Sequence, residues 1–482
     1  MKKLVIIAAL TGFISVTGCA LGPDFEKPVV NAPEQYKYDI VKEDSRINLK
    51  WWELFNDPVL ESLVTQALNG NKDIGIAAGR IEEARASLGF TKADIYPGLD
   101  IEAGASRGNF AGRTKTESVN NNFYIAPVLS WEIDFWGKFR RANEAAMAEL
   151  MASESSLRTI QISLISEVVS TYFLLLDYRH RLNVSLNTLN SRLNSLDIIQ
   201  QRFDKGIVSE LDLNQAQIQK EIAAAAIPVY ERLISKTEHA LSILLGRRPG
   251  EIENGIDLNS QTIPPEIPVG LPAALLQRRP DIIQAEYLLK AQNAKIGVAQ
   301  AQRLPAITLT GILGVASDEL SSLTSDGAAW SISGGVLGPI FNFNKNVERV
   351  VVEEARTKQA LYNYENTVLR AFREVEDALV DVRTYKKQII AVEKKNKAAK
   401  NAAALSAFRY DRGVTSYLEV LDTERTLFSV ELELSELRKD YHNAYVKLYK
   451  ALGGGWISKE EMDESKNLEK EQKKKLSVEK NQ

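Results

Sequence analysis

Four segments of the chain alternate between apolar and polar residues with a period of two. They are GLDIEAGASRGNF (98–110), FYIAPVLSWEIDFW (123–136), AITLTGILGVA (306–316) and WSISGGVLGPIFNF (330–343). Strands of about ten residues with alternating faces and aromatic residues near their ends are the weak signature of a membrane β-barrel. The pattern predicts two membrane hairpins, with the polar loops 111–122 and 317–329 facing the exterior. A soluble β-meander would show the same periodicity.

Two long intervals lack both glycine and proline and predict long helices. They cover residues 138–205 and 345–412, 68 residues each, and are followed by Gly206 and Gly413. Both are rich in residues that favour helix, and each would extend about 100 Å at the α-helical rise. A second helix follows each glycine and runs back, so each half of the chain is predicted to form a helical hairpin. Pro228 is expected to kink the first returning helix.

An internal repeat relates these elements to one another. RFDKGIVSEL (202–211) and RYDRGVTSYL (409–418) share five of ten residues at an offset of 207. Upstream, SLGFTKADIYP (87–97) corresponds to KIGVAQAQRLP (295–305) at an offset of 208. Since a repeat overrides the domain count that length alone suggests, the chain is interpreted as two copies of one unit.

The N-terminus has the pattern of a bacterial lipoprotein signal. Lys2 and Lys3 precede a short apolar run, and small residues at 16–18 precede Cys19, the only cysteine in 482 residues. This is a secretory signal ending in a lipobox, where the thiol is acylated and the cysteine becomes the mature N-terminus. An ordinary signal peptide with a chance cysteine is the alternative. Cys19 is therefore predicted to be a lipid anchor, and no cofactor other than this covalent lipid is expected.

The composition argues against an enzyme. With Cys19 acylated, no thiol remains for disulfides, metal ligation or nucleophilic catalysis. His180, His239 and His442 lie among polar residues of predicted helices and are expected to be solvated or satisfied side chains. No nucleotide-binding, hydrolase or zinc-protease motif occurs, no metal site is predicted, and the net charge of −3 gives no indication of nucleic-acid binding.

Four strands in one chain cannot form a membrane barrel alone. A lipid-exposed sheet has no water to satisfy the unpaired backbone groups at its edges, and single-chain barrels need at least about eight strands. The mature sequence is expected to contain no apolar run of about 18 residues that would span a membrane as a helix. Several chains must therefore share one barrel, and the protein is predicted to oligomerise.

Several longer motifs resemble one bacterial family. They are GPDFEKP (22–28), WWELFNDPVLESLVTQALNGNKDIGIAAGRIEEARA (51–86), SWEIDFWGKFRRANEAA (130–146), LLQRRPDIIQAE (275–286), SYLEVLDTERTLF (416–428) and ALGGGW (451–456). Together they make the chain similar to the outer-membrane factors of tripartite efflux pumps, in the OprM/CusC-like branch related to TolC. One departure is Asn344, at a position where the family usually has glycine.

The resemblance implies a mainly α-helical homotrimer with a membrane β part. Each chain would contribute four strands to a shared twelve-stranded outer-membrane β-barrel on a long periplasmic α-barrel. The implied partners are outer-membrane lipid, a periplasmic adaptor and an inner-membrane transporter of the proton-driven RND type. Located in the outer membrane with most of its mass in the periplasm, the trimer would be a passive, gated exit duct for drugs or other small toxic compounds.

These inferences divide the chain into successive segments. They are a signal peptide (1–18), a lipid-anchored extended strap (19–50), an equatorial and first helical segment (51–97), the first β-hairpin (98–136), the first long helical hairpin (137–250), an inter-repeat linker and helix (251–304), the second β-hairpin (305–343), the second long helical hairpin (344–456) and a charged tail expected to be mobile (457–482).

The resemblance also implies a periplasmic gate at the hairpin tips. In the family the tips close the tunnel through side-chain contacts and rings of carboxylates, which would disfavour anions and attract cations. Carried over by motif, the gate comprises a constraining contact at Tyr410, an apolar constriction at Leu418, pore-facing carboxylates at Glu419 and Asp422, and a partner carboxylate at Asp212, with Gly206 and Gly413 at the tips. Thr415 stands where TolC-type relatives have an arginine, so an arginine latch would have to use Arg412.

Two other functions fit the same sequence. The duct would equally serve a type I protein secretion system, although the match to the lipidated branch favours efflux. A lipid-anchored periplasmic coiled-coil scaffold without a pore would keep its strands soluble, and the alternation in residues 98–110 and 123–136 argues against it. The exported substrate cannot be read from the wall of a duct, and drugs, organic acids and metal ions all remain open.

Overall fold

The computed structural model describes residues 20–30, 36–37, 50–111, 114–263, 276–324 and 328–454. The predicted signal peptide, Cys19 and the charged tail lie outside these ranges, as does most of the predicted strap after Val30. The chain divides into two compact units. The β unit contains the chain up to Val30 with Ala78–Ser155 and Ile282–Thr367, and the helical unit contains Asn31–Ala77, Ser156–Asp281 and the chain from Val368.

Long helices account for most of the described residues. In chain order they are α1 (Pro58–Gly70), α2 (Lys72–Ala93), α3 (Lys138–Asp204), α4 (Glu210–Leu244), α5 (Pro280–Ala301), α6 (Lys345–Asp411) and α7 (Tyr417–Ala451), with short 3₁₀ turns at Trp51–Phe55, Leu258–Ser260 and Leu320–Ser322. Helices α3 and α6 have 67 residues each, and α4 and α7 have 35 each. The two longest helices occupy the intervals without glycine and proline, and α4 continues through Pro228.

Four strands form one antiparallel sheet in the order β1-β2-β3-β4. They are β1 (Gly98–Ala111), β2 (Thr114–Ile133), β3 (Ala306–Ser317) and β4 (Ala328–Leu337). A mainly helical chain with a four-stranded antiparallel β part is therefore confirmed.

The predicted loop 111–122 was wrong, because β2 already begins at Thr114. Its polar residues pair with β1, from Ser106 opposite Asn122 to Gly108 opposite Asn120. A hairpin that extends beyond the four-stranded part of the sheet can have polar residues on both faces, so the alternation that marks a half-buried strand is missing there.

The predicted end of the fourth strand was also wrong, because β4 ends at Leu337 and not at residue 343. Pro339 has no N–H for a strand ladder. Further along, Phe343 and Asn344 have φ angles of 51° and 64°, which no strand contains. Asparagine tolerates this left-handed region, so Asn344 takes the conformation that Gly137 takes in the first half, where φ is 79°.

Most of the large apolar residues of the four strands lie on one face of the sheet, although Val128 and Ile312 pair on the other face. Leu99 pairs with Leu129, Leu129 with Gly311 and Gly311 with Ile332, so these four residues share one face. The same face contains Ile101, Ile125, Trp131, Leu309, Leu313, Trp330 and Val336, whereas the opposite face contains Asp100, Glu102, Ser130, Glu132, Thr308, Thr310, Ser331 and Ser333. On the apolar face Ile101 and Trp330 are 73% and 75% exposed.

The helical unit has an aromatic core around the first residues after the strap. Trp51 stacks on Tyr449 with ring centroids 5.1 Å apart, and Phe55 meets Phe173 edge to face at 4.9 Å. Asp57 is fully buried and caps α1 by accepting from the backbone N–H of Val59 at 3.0 Å. The aromatic core and the Asp57 cap together position the start of α1.

The expectation that no apolar run is long enough to cross a membrane was wrong for α3. This helix contains an 18-residue window that meets the length and composition of a membrane span. However, 56% of the window is buried, and Val168, Val169 and Leu175 within the same stretch belong to the core of the helical unit. The run is apolar because it packs inside the protein.

His442 corrects the expectation of three solvated or satisfied histidines. His180 lies 3.2 Å from the amide nitrogen of Asn259, and His239 is exposed, as expected. His442 is only 3% exposed, stacks on Phe173 at 4.8 Å, and its Nδ1 has no hydrogen-bond partner. Burial, with a smaller effect of the Arg438 charge, lowers its pKa to about 4. The burial of His442 could not be predicted from its polar neighbours along the helix, because its contacts come from residues distant in sequence.

Candidate gate at the hairpin tips

Each helical hairpin turns at a glycine in the left-handed region. Gly206 has a φ of 71° and Gly413 a φ of 69°, values that favour glycine because it has no Cβ. In the first turn the N–H of Ile207 donates to the carbonyl of Arg202 at 2.9 Å, and in the second Val414 donates to Arg409 at 2.9 Å. These bonds complete a helix C-terminus of the Schellman type, so both tips have the same backbone design.

The two tips differ in how the returning helix is capped. At the first tip Ser209 and Asp212 form a capping box, with the Ser209 N–H donating to the Asp212 carboxylate at 3.2 Å. At the second tip Ser416 makes no side-chain cap. Glu419 corresponds to Asp212 in the internal repeat. It instead accepts a hydrogen bond from the Thr415 hydroxyl and lies 3.7 Å from Arg409 Nε. The predicted partner carboxylate Asp212 is therefore engaged in a helix cap.

A small apolar cluster joins the two hairpins of the chain near their tips. Ile199 and Ala216 come from the first hairpin, and Tyr417, Val420 and Leu421 come from the second. Tyr410 packs against this cluster with its ring centroid 5.3 Å from that of Tyr417, and burial raises the pKa of Tyr417.

The gate residues outside this cluster lie on the surface of the chain. Leu418 is 60% exposed, so it is available to a surface outside the chain and is not part of the chain's own core. Asp422 is exposed and pairs with Arg425 of the same helix at 2.8 Å. Arg412 lies 4.7 Å above the ring of Phe408. Each of the two predicted pore carboxylates thus has an arginine neighbour within its own chain.

Arg202 is a tip residue that the sequence reasoning missed. Its guanidinium donates to Asp411 at 3.2 Å and lies 4.8 Å from the centre of the Tyr410 ring. It therefore connects the end of α3 to the end of α6, which Arg412 does not. The signal was available in the repeat, since Arg202 and Arg409 are one of its five identical pairs.

A second missed feature is a buried arginine deeper between the hairpins. Arg192 on α3 is 2% exposed, and its Nη1 donates to the backbone carbonyl of Gln219 on α4 at 2.5 Å. Its guanidinium lies 5.1 Å from the centre of the Phe428 ring on α7, while Nε and Nη2 have no partner. Burial lowers the pKa of Arg192, and burial raises the pKa of nearby Glu424, with the Arg192 charge opposing that rise.

The described tip residues interact through apolar packing and ion pairs. Within the described ranges, no group of three or more histidine, cysteine or acidic side chains is arranged to hold a metal ion. The tip combines an apolar cluster with exposed ion pairs, each of which contributes at most about 1 kcal/mol at a solvated surface. Such contacts can hold a tip closed and still be broken by a binding partner.

Comparison with known proteins gives a consistent result. Residues 63–247 and 271–454 match the outer membrane efflux protein family. The chain is 36% identical over 451 residues to the solvent efflux pump outer membrane protein SrpC of Pseudomonas putida. The matched residues cover 91% of this chain and 96% of SrpC. It is 33% identical to the probable outer membrane lipoprotein SilC of Salmonella typhimurium, over 95% of this chain and 100% of SilC.

A solved structure extends the comparison to the fold. The outer-membrane channel OprN matches with a TM-score of 0.85 and 31% identity, over 91% of this chain and 100% of OprN. The long helices, the four-stranded sheet and the tip turns described above are thus found in a chain that belongs to the outer membrane efflux protein family.

Proposed function

We propose that this protein is the outer-membrane channel subunit of a tripartite efflux pump and forms a passive, gated exit duct. The observation that carries the proposal is the four-stranded sheet with one apolar and one polar face. Leu99, Ile101 and Ile332 are more than 70% exposed on the apolar face. A soluble protein rarely exposes a continuous apolar surface of this kind, whereas a barrel strand directs such residues to lipid and polar ones to the lumen.

The sheet also supports closure of the barrel by several chains, which we propose to be three. β1 and β4 are its two edges, and each has backbone groups without a partner strand in the sheet. Lipid cannot satisfy these groups, so each edge must pair with another chain. Pairing β4 of one chain with β1 of the next closes a ring, and three chains give a twelve-stranded barrel, above the minimum of about eight strands.

The N-terminus supplies a second attachment to the outer membrane. We propose that Cys19 is acylated, and the similarity to a protein named as an outer membrane lipoprotein supports this. A single acyl chain gives only marginal membrane binding, and stable attachment takes two signals. Several acyl chains on Cys19 together with the inserted strands meet that requirement.

The tips of the helical hairpins are the proposed periplasmic gate. Tyr410 and the apolar cluster would hold the two hairpins of one chain together, with Arg202 bridging Asp411 and Asp212 capping the first tip. Leu418 is exposed and would meet its counterparts across the axis of the trimer. Glu419 and Asp422 would line the entrance as carboxylate rings, with Arg409 and Arg425 moderating their charge.

The proposed partners are a periplasmic adaptor and an inner-membrane transporter of the proton-driven RND type. SrpC is named as part of a solvent efflux pump, which supports export of small organic compounds over protein secretion. In this proposal the transporter supplies the energy and the duct itself is passive. The adaptor would open the tips, and selectivity would lie mainly with the transporter.

Two neighbouring residues on opposite faces of β1 provide the test. Ile101→Lys places a charge on the proposed lipid face, where a lysine near the bilayer midplane costs about 2–4 kcal/mol per chain. Glu102→Lys makes a comparable change on the proposed lumen face. The proposal predicts that Ile101→Lys sharply reduces the fraction of trimer folded into lipid bilayers, while Glu102→Lys inserts normally and lowers cation preference. Equal insertion of both variants would contradict the assignment of the faces.

A further inference from the structure

The first described residues of the chain lie along the β unit in an extended segment. The N–H of Leu21 donates to the carbonyl of Trp136 at 3.1 Å, and Asn293 on α5 donates to the carbonyl of Pro23 at 2.9 Å. Lys27 pairs with Glu286 at 2.6 Å. The segment is therefore held both by the residues just before α3 and by α5.

Arg141 on α3 makes the densest set of contacts to this segment. Its side chain is 7% exposed. Nε donates to the carbonyl of Leu21 at 3.0 Å, and Nη2 donates to the carbonyl of Gly22 at 3.1 Å and to the Asp24 carboxylate at 2.7 Å. Nη1 donates to Glu144 at 2.7 Å, which orients the guanidinium from its own helix. The planar fork of an arginine suits this arrangement, whereas a lysine has a single nitrogen.

Glycines let the backbones approach closely at the same place. Gly22 has a φ of 95°, and a Cβ on Gly297 would lie 2.5 Å from the Leu21 carbonyl oxygen and 2.8 Å from Arg141 Cγ. A Cβ on Gly137 would lie 2.6 Å from Cα of Ala20. A side chain at either position would clash with backbone atoms, which cannot move aside as a flexible side chain can. Residues 20–24, Arg141, Gly137 and Gly297 are called the N-terminal clip below.

We propose that the N-terminal clip positions the acylated N-terminus beside the end of a barrel strand, with Arg141 as the positioning residue. Ala20 follows Cys19 directly, and it contacts Gly137 between the end of β2 and the start of α3. The clip thus ties the residue next to the lipid to the point where the chain leaves the sheet. This inference rests on the proposed function, because it assumes a lipid on Cys19 and strands in the membrane.

The clip has a clear physical consequence for membrane attachment. A free chain of about seven residues between Cys19 and Lys27 would let its end range over about 15 Å. With the clip closed, the acyl chains and the barrel strands of each chain enter the membrane at one fixed point. The surface around Arg141, Gly137 and Gly297 therefore binds the chain's own N-terminal segment, and it holds the lipid-bearing end of that segment at the membrane surface.

The test uses two changes to the clip, each with a matched control. Arg141→Ala removes the fork, and Arg356→Ala is its control, because Arg356 pairs with Glu353 of its own helix α6 at 2.7 Å. Gly297→Ala introduces a Cβ into the clip, and Gly89→Ala is its control, because no atom lies within 4 Å of a Cβ there. Alanine favours a helix over glycine by about 1 kcal/mol, so Gly297→Ala should open the clip without weakening α5.

The readout is the mobility of a spin label at Glu26→Cys, measured by electron paramagnetic resonance on folded trimers in detergent. The label is expected to be restrained in the parent and in both controls. In Arg141→Ala and Gly297→Ala a mobile component should become the larger fraction, and Arg141→Lys should restore little of the restraint. A label that is already mobile in the parent, or restrained in both clip variants, would overturn the proposal.

Mass spectrometry and planar-bilayer conductance of the same samples separate this proposal from the proposed function. An intact lipid mass on Cys19 with normal channel conductance but no change in label mobility would reject the clip alone. A chain without the lipid would reject the anchor, and a chain without channel activity even as the Glu419→Ala/Asp422→Ala variant would reject the duct, whatever the label shows.

Discussion

The buried histidine of the helical unit leads to a quantitative prediction about pH and stability. His442 is enclosed by Phe55, Phe173 and Tyr441, with ring centroids 5.9, 4.8 and 6.5 Å away. Its pKa is lowered from 6.5 to about 4, first by burial and then by the Arg438 charge. As the pH falls below about 6.5, the unfolded chain therefore takes up a proton that the folded chain does not, and the free energy of unfolding decreases.

The size of the effect follows from the two pKa values. The contribution of His442 to stability should fall by about 1.4 kcal/mol per pH unit between about pH 6.5 and 4, and this contribution should stay constant outside that window. The full loss is about 3 kcal/mol, and about 2 kcal/mol should be lost by about pH 5. In domains of about 150–250 residues, 1 kcal/mol corresponds to about 2–4 °C in the midpoint of thermal unfolding, and the shift is smaller for a larger unit such as this one.

The assay is thermal unfolding of the detergent-solubilised protein by far-ultraviolet circular dichroism, at neutral pH and at about pH 5. His442→Phe keeps an aromatic ring in the pocket but cannot take up a proton, so its midpoint should fall less on acidification than that of the parent. His239→Gln, at an exposed position, should behave like the parent. Equal losses in the parent and in His442→Phe would refute the assignment of the pH dependence to this residue.

Three further substitutions test the structural roles of the Asp57 and Asp212 carboxylates. Asp57 is fully buried and accepts from Tyr172 Oη at 2.6 Å and Gln261 Nε2 at 2.7 Å besides capping α1, so Asp57→Ala should cost at least about 3 kcal/mol in chemical denaturation. Tyr172→Phe should cost only about 1 kcal/mol, and a similar loss in both would contradict the shared role of Asp57. Asp212→Ala should cost about 1 kcal/mol through the lost capping box and speed hydrogen exchange at the start of α4. Unchanged exchange there would argue that the carboxylate acts elsewhere.

The sequence was most informative where a backbone rule acts locally. The bounds of α3 and α6 could be predicted because each helix occupies a long run without helix breakers and ends near a glycine. Helix propensity and a glycine at the helix end act through the local backbone alone. The apolar face of the sheet was likewise visible, because Leu99 and Ile101 alternate with Asp100 and Glu102. The start of β2 at Thr114 was not, because the hairpin residues beyond the four-stranded part of the sheet do not alternate.

The features that were missed depend on contacts between distant parts of the chain. His442 was expected to be a solvated or satisfied side chain because its neighbours in sequence are polar, but it is buried against Phe55 and Phe173 without a hydrogen-bond partner for Nδ1. Arg192 and Arg202 contact Phe428 and Asp411 of the second hairpin, which lie more than 200 positions away in sequence. The contacts of Arg141 with residues 20–24 span more than 100 positions, and no local pattern indicates them.

The central claim is that the trimer is a channel held closed at the hairpin tips. Planar-bilayer conductance of the purified trimer tests it, comparing the parent with a Glu419→Ala/Asp422→Ala double variant. Small or rare openings that become larger or more frequent in the variant, with a weaker preference for cations, are the predicted result. Unchanged conductance and selectivity in the variant would contradict the gate, and a folded trimer without channel activity in either form would contradict the duct.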